Sequence, residues 1–358
     1  MIRLLLILSL FLPAYQSAKA ADTIGLSLPL EGRLSAVTKR MEYGAKLALQ
    51  RLKDSGHDLE LALVDDACDP VWAPENAQKL RESYVKIVVG PVCFRSATAL
   101  AKFMSRPREG EPVVPVVAVN TRNKLLGRLR EVDELSLWSL SNSPNAEAQA
   151  IVDLVLPQFQ NRPYAIIDDG SVYGRALADD IRLLAEEAGS RPILSSNFRP
   201  LQTTQISLLR RMQKSGVEAL IIAAAPEDVV TIANDLRTLK LDWMVATGER
   251  GQLLPYTATA QSNMAGMLIV KERDLASESA KAIIGDVGEV EIENSMLLGF
   301  ALVEIGAGAI KRNLTDLAGE SFDTVIGPVT FGTDGRASPA PFVVQQWRDG
   351  GFEPLVAN

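Results

Sequence analysis

The stretch that most constrains the fold is residues 61–98, LALVDDACDPVWAPENAQKLRESYVKIVVGPVCFRSAT. Residues 61–64 are a short apolar run that stops at Asp65-Asp66. Residues 74–84 carry helix formers, with apolar positions at Ala77, Leu80 and Tyr84. Residues 87–89 are β-branched and close on Gly90-Pro91, and a helical pattern restarts near Ser96. Two buried strands joined by a helix predict a right-handed βαβ unit on a parallel sheet. Such sheets bind ligands beyond the carboxyl ends of their strands. Both cysteines of the chain, Cys68 and Cys93, follow those ends. Parallel strands put the two turns side by side, so the cysteines can meet.

The same rhythm continues along the chain. Strands are predicted at 23–28, 113–119, 135–140, 164–167, 193–198, 219–223 and 243–246, with helices at 40–52, 146–156, 175–188, 207–213 and 226–239. Residues 267–270, 325–331 and 342–347 read as further strands, and 296–311 as a long helix. At roughly 150 residues per domain, 358 residues suggest two domains. Two α/β units in tandem fit two doubly wound, Rossmann-like lobes.

The N-terminus differs in kind. Met1-Ile2-Arg3 is a short basic segment, residues 4–12 are apolar but too few to span a bilayer, and Ala18-Lys19-Ala20 has the A-x-A form of a cleavage site. Residues 1–20 are expected to be a signal peptide that sends the protein to the periplasm. No later stretch is read as a membrane span, so the mature chain is expected to be soluble. With 47% hydrophobic and 23% charged residues and a net charge of −7, it lacks the basic footprint of a nucleic-acid binder. Two cysteines in an exported chain favour one disulfide. Free thiols or a metal site are the rival readings; a single histidine and the lack of C-x-x-C count against metal.

Enzymatic constellations are missing. The chain has no Walker loop, G-x-G-x-x-G, G-x-S-x-G or H-E-x-x-H. Ser83-Tyr84-Val85-Lys86 matches S-x-x-K without its S-D-N and K-T-G partners. His57 lies in a polar turn, and Asp168-Asp169 before Gly170 reads as a cap for the next helix. No cofactor and no metal are expected, and the chain is not read as an enzyme.

DDACDP followed by GPVC resembles the leucine/isoleucine/valine-binding proteins of bacterial ABC importers. DDGSVYGRALA (168–178) and DTVIGPVTFGTDGR (323–336) extend the likeness over nearly the whole mature chain. The resemblance implies the type I periplasmic-binding fold: two lobes joined by a three-crossing hinge near 139–142, 269–272 and 329–333. It divides the chain into 21–140 with 271–329 and 141–270 with 330–358. It implies a monomer that captures a small amino acid or related small acid by closing about the hinge, then delivers it to a membrane ABC permease. A sensing receptor, a binder of small organic acids, or an enzyme or assembly factor on the same fold are the alternatives.

The family's ligand carboxylate meets loops that here contain Phe94, Arg95, Ser96, Ala118, Asn120 and Thr121. Its ammonium meets a carboxylate at the position of Glu249, and a family tyrosine falls on Tyr173. This chain departs from the pattern: Phe94 stands for a serine, Asn120 for a threonine, Val37 for an aromatic, and a tyrosine near Ala225 is absent. Arg95 or Arg122 is therefore expected to add a charge to the pocket.

Overall fold

The computed structural model describes residues 21–355 apart from Arg108, Asn120, residues 253–263, Glu289, Ala340 and Asp349. Strands form where apolar, often β-branched runs must bury both faces. Six of them make the first sheet: β1 (Asp22–Leu28), β2 (Leu59–Asp65), β3 (Val85–Val89), β4 (Val116–Val119), β5 (Leu137–Leu140) and β13 (Arg336–Ala337). The order is β13-β5-β4-β3-β1-β2 and every pairing is parallel. The second sheet runs β15 (Gly351–Pro354), β14 (Phe342–Arg348), β10 (Leu268–Glu272), β9 (Met244–Thr247), β8 (Ala219–Ala223), β6 (Tyr164–Asp168), β7 (Leu194–Asn197). It is parallel from β10 to β7 and antiparallel at β14 and β15.

Side-chain alternation explains the double winding. In β3, Ile87 and Val89 face one way, against α1 (Ser35–Asp54) and α10 (Asn294–Lys311). Val88 faces the other way, against α2 (Ala73–Glu82) and α3 (Phe94–Met104). The second sheet repeats the scheme. Ile166 and Ile221 meet α5 (Ala146–Ala150) and α6 (Val172–Glu187), while Ile167 and Ile222 meet α7 (Ile206–Lys214) and α8 (Pro226–Thr238). Each fully buried aliphatic side chain contributes about 1.5–3 kcal/mol.

Helices α1 and α10 touch backbone to backbone. A Cβ at Gly44 would lie 1.9 Å from the Met296 carbonyl oxygen, and one at Gly299 1.9 Å from that of Met41. Helix α10 is long and apolar enough to cross a membrane, contrary to the expectation that no such stretch follows the N-terminus. Its apolar surface is instead spent on the core: Leu297, Phe300, Ala301 and Leu302 are buried in the first lobe.

Three further readings change. Residues 325–331 are not one strand. They belong to a hairpin, β11 (Ser321–Thr324) and β12 (Gly327–Thr330), because Gly327 takes φ 100° and the Val325 N–H turns away to Glu304. Asp168 and Asp169 do not cap α6. Ser171 does, its Oγ accepting from the Gly174 N–H at 3.0 Å. The aspartates hold the turn instead, Asp169 also accepting from the Ala225 N–H at 3.0 Å. Finally, β13 pairs with β5, so residues 336–337 join the first sheet beyond the boundary placed at 329. The chain returns to the second sheet between Ala337 and β14. Short elements, α4 (Leu126–Glu131) and α9 (Glu278–Ile284), complete the first lobe.

Asn142 joins all three crossings. Its Nδ2 donates to Glu272 Oε1 at 2.6 Å, and its Oδ1 accepts from Ser338 Oγ. The Arg273 N–H donates to the Pro341 carbonyl at 2.9 Å, tying the second crossing to the third.

Candidate functional site

The carboxyl ends of the parallel strands in the two sheets face each other through their loops. Arg122 leaves the end of β4 and crosses the gap. Its Nη1 donates to Glu249 Oε2, beyond β9, at 3.0 Å, and its Nη2 donates to Glu272 Oε1 at the end of β10. The guanidinium also lies 5.4 Å from the Phe342 ring centroid. Burial works against its charge, but the Glu272 and Glu249 carboxylates outweigh it and hold the group above its ordinary value. Nearby, Lys124 Nζ reaches both Asp180 carboxylate oxygens at 3.1 Å, a second and more exposed link between the lobes.

On the second lobe, the Ser171 cap starts α6 and places Tyr173 in its first turn. The Tyr173 hydroxyl donates to Glu147 Oε1 at 2.6 Å, and the Glu249 N–H donates to the same oxygen at 2.8 Å. Gly248 is required for this meeting: a Cβ there would lie 2.2 Å from Glu147 Oε1 and 2.8 Å from the Tyr173 hydroxyl. Glu147, on α5, is 6% exposed. Its burial pushes the carboxyl up, against the pull of the two donated hydrogen bonds. Burial and the adjacent Glu147 raise the Tyr173 hydroxyl as well, so it stays a donor at any physiological pH. The Arg250 guanidinium sits 4.0 Å over the tyrosine ring.

On the first lobe, a disulfide joins Cys68 to Cys93 with Cα atoms 5.3 Å apart. It anchors the start of α3 to the β2 turn. Cys93 is the N-cap of α3 and supplies no side-chain cap. The first N–H groups of such a helix carry partial positive charge and favour an anion. Ser96, in that first turn, is 4% exposed, and its Oγ has no hydrogen-bond partner among the described residues. Thr121 is equally buried; its Oγ1 lies 2.6 Å from Ser139 Oγ, which lies 2.7 Å from Ser141 Oγ.

The structure thus places Tyr173 and Glu249 side by side, with Ser96 in the first turn of α3 and Thr121 in the loop after β4 on the first lobe. Ala118 is buried inside β4. Phe94 packs against the apolar cluster behind α3, and Arg95 is exposed. Asn120 lies outside the described residues, as do residues 1–20. Sequence reasoning missed Glu147 and Glu272. Glu147 had a signal: it precedes Ala150 and Ile151 by three and four positions, on the buried stripe of its helix, where a carboxylate is costly unless hydrogen-bonded. Glu272, two residues past an apolar run, had none.

A cavity of about 370 Å³ opens beside Glu272. Leu34, Val37, Met41, Val92, Leu275 and Leu298 give it an apolar wall. Among the described residues no group of three or more His, Cys, Asp or Glu is placed to hold a metal. The arrangement therefore offers hydrogen-bond donors, carboxylates, a guanidinium and an apolar cavity around one interlobe gap.

A sequence profile described as Periplasmic binding protein matches residues 23–351. The chain belongs to that family. Leu/Ile/Val-binding protein homolog 3 of Brucella melitensis is 24% identical, the alignment covering 94% of each chain. Among solved structures, an ABC transporter substrate-binding protein from Desulfitobacterium hafniense in complex with Leu aligns with a TM-score of 0.65 at 16% identity, over 93% of this chain and 99% of that one. A solute-binding protein of an ABC transporter from Rhodopseudomonas palustris, in complex with p-hydroxybenzoic acid, aligns with a TM-score of 0.62 at 14% identity, over 93% and 95%. The fold is that of the type I periplasmic binding proteins, and this family's members bind solutes.

Proposed function

We propose that this protein captures an amino acid or a related small acid between its two lobes and hands it to a membrane ABC permease. It works in the periplasm as a monomer, without cofactor and without catalysing a reaction. The reading rests on one observation above all: charged and hydroxyl-bearing groups from both lobes converge at opposed strand ends, with Arg122 of one lobe against Glu249 and the Glu147–Tyr173 pair of the other. The uncapped start of α3, Ser96 Oγ and Thr121 suit the ligand carboxylate. Tyr173 and Glu249 line the facing wall, and the cavity at Val37 and Leu298 takes the apolar end. Exposed Arg95, next to Phe94 at the start of α3, borders the first-lobe wall. The lobes divide near 140 and 270, and the last crossing lies after Ala337. Relatives bound to leucine and to p-hydroxybenzoic acid are consistent with a small acid of either kind.

A thermal-shift screen over amino acids and small organic acids tests this. A ligand at 100 times its Kd adds about 2.7 kcal/mol of apparent stability. At least one small acid should raise Tm by several degrees; a flat response across both groups would contradict the reading.

A further inference from the structure

The Arg122–Glu249 contact bears on which of those acids the cleft accepts. We infer that Arg122 is a specificity-determining residue: its guanidinium occupies the seat at Glu249 that a ligand ammonium would take, and so turns the cleft toward acids without an amine. The inference rests on the capture reading above and narrows its ligand class.

Four observations carry it. Glu249 Oε2 already accepts a charge-assisted hydrogen bond from Arg122 at 3.0 Å. The guanidinium is not a loose surface group: its second amino group is bound by Glu272, and its face lies 5.4 Å from the Phe342 ring centroid. Glu272 is itself fixed by Asn142 Nδ2 at 2.6 Å, so the guanidinium is held from the hinge rather than from the flexible end of its own chain. A third carboxylate at the cleft, Glu147, is also engaged: its Oε1 accepts from the Tyr173 hydroxyl and the Glu249 N–H.

An incoming ammonium must therefore displace Arg122 from Glu249 or bind beside a second cation. Each charge-assisted hydrogen bond exchanged is worth about tenfold or more in affinity. A carboxylate ligand without an amine makes no such demand. It needs only the N–H groups and hydroxyls of the first lobe and the apolar cavity. Lysine could not do this job as well, since only the planar fork reaches two carboxylates at once in fixed geometry.

The test compares matched pairs differing only in the amine: leucine against 4-methylpentanoate, and phenylalanine against 3-phenylpropanoate. Calorimetry gives the affinity ratio within each pair for the wild type, Arg122→Ala and the bulk-preserving Arg122→Met. The ratio is insensitive to a uniform loss of binding from looser lobes. The wild type should favour the deaminated member by about tenfold or more, and both variants should move the ratio toward the amine by about tenfold or more. A wild-type preference for the amino acid, or ratios unchanged on removing Arg122, would overturn the assignment while leaving capture of small acids intact. Failure of all four probes to bind any of the three proteins would overturn this inference. A flat response in the wider acid screen is what would remove the capture reading beneath it.

Discussion

Glu304 shows how a single side chain couples the first lobe to pH. It lies on α10, and its Oε2 accepts from the Val325 N–H at 2.6 Å. Burial pushes its carboxyl up to about 7 from an ordinary 4.5, against the Val325 hydrogen bond and the charge of Arg51. The folded protein then holds this proton more tightly than the unfolded chain. Its stabilising effect is complete below the unfolded value of 4.5 and is lost as pH rises toward 7. Glu304→Gln keeps an acceptor for Val325 and removes the charge. Scanning calorimetry should show Tm raised by a few degrees at pH 8 and little changed at pH 4.5. An equal change at both values would mean that packing, not ionisation, governs the site. At this scale the sequence was legible only in part. Tyr173 could be singled out because it lies inside the 168–178 motif, and Glu249 because it follows a predicted strand end. Glu147 and Glu272 could not, because their role depends on partners far along the chain that no local pattern announces.

The elements were legible where they were long and apolar. Residues 219–223 and 226–239 read as strand and helix, and the structure agrees to within a residue. Residues 336–337 and 126–131 were missed because two to six residues carry no period. The approach of α1 and α10 was invisible too, since glycine in a helix signals nothing about what crosses it. It supports a contrast in one substitution type. Gly299→Ala drives a Cβ onto the Met41 backbone, which cannot rotate away, and should destabilise by about 3 kcal/mol, the upper end for overpacking. Gly127→Ala in α4 meets nothing within 4 Å and should stabilise by at most about 1 kcal/mol. Urea unfolding midpoints would show the two moving in opposite directions; a harmless Gly299→Ala would refute the close crossing. The disulfide constrains the β2 and α3 turns in the same lobe. Its sequence separation of 25 implies about 3–4 kcal/mol of stabilisation on the chain-entropy account. Replacing both Cys68 and Cys93 by serine should lower the urea midpoint accordingly, and a midpoint unchanged by the replacement would contradict a structural role.

At the scale of the molecule, the parallel strands of two sheets present their carboxyl ends to one gap, and Arg122, Glu249, Glu272, Glu147 and Tyr173 each leave a strand end or the first turn of a helix. The doubly wound pattern was legible because both faces of each sheet demand continuous apolar strands. The path of the last crossing was not, since β13 is two residues long and is defined by its pairing with β5. The central claim is that a small solute is held by both lobes at once. The most direct measurement is calorimetry of the acid found by thermal shift against one variant from each lobe: Thr121→Val, which removes a buried hydroxyl from the first, and Tyr173→Phe, which removes the donor to Glu147 from the second. The account predicts that each weakens binding by about tenfold, with both variants folded and their melting curves near wild type. Wild-type affinity in both would place the ligand somewhere other than the gap between the lobes.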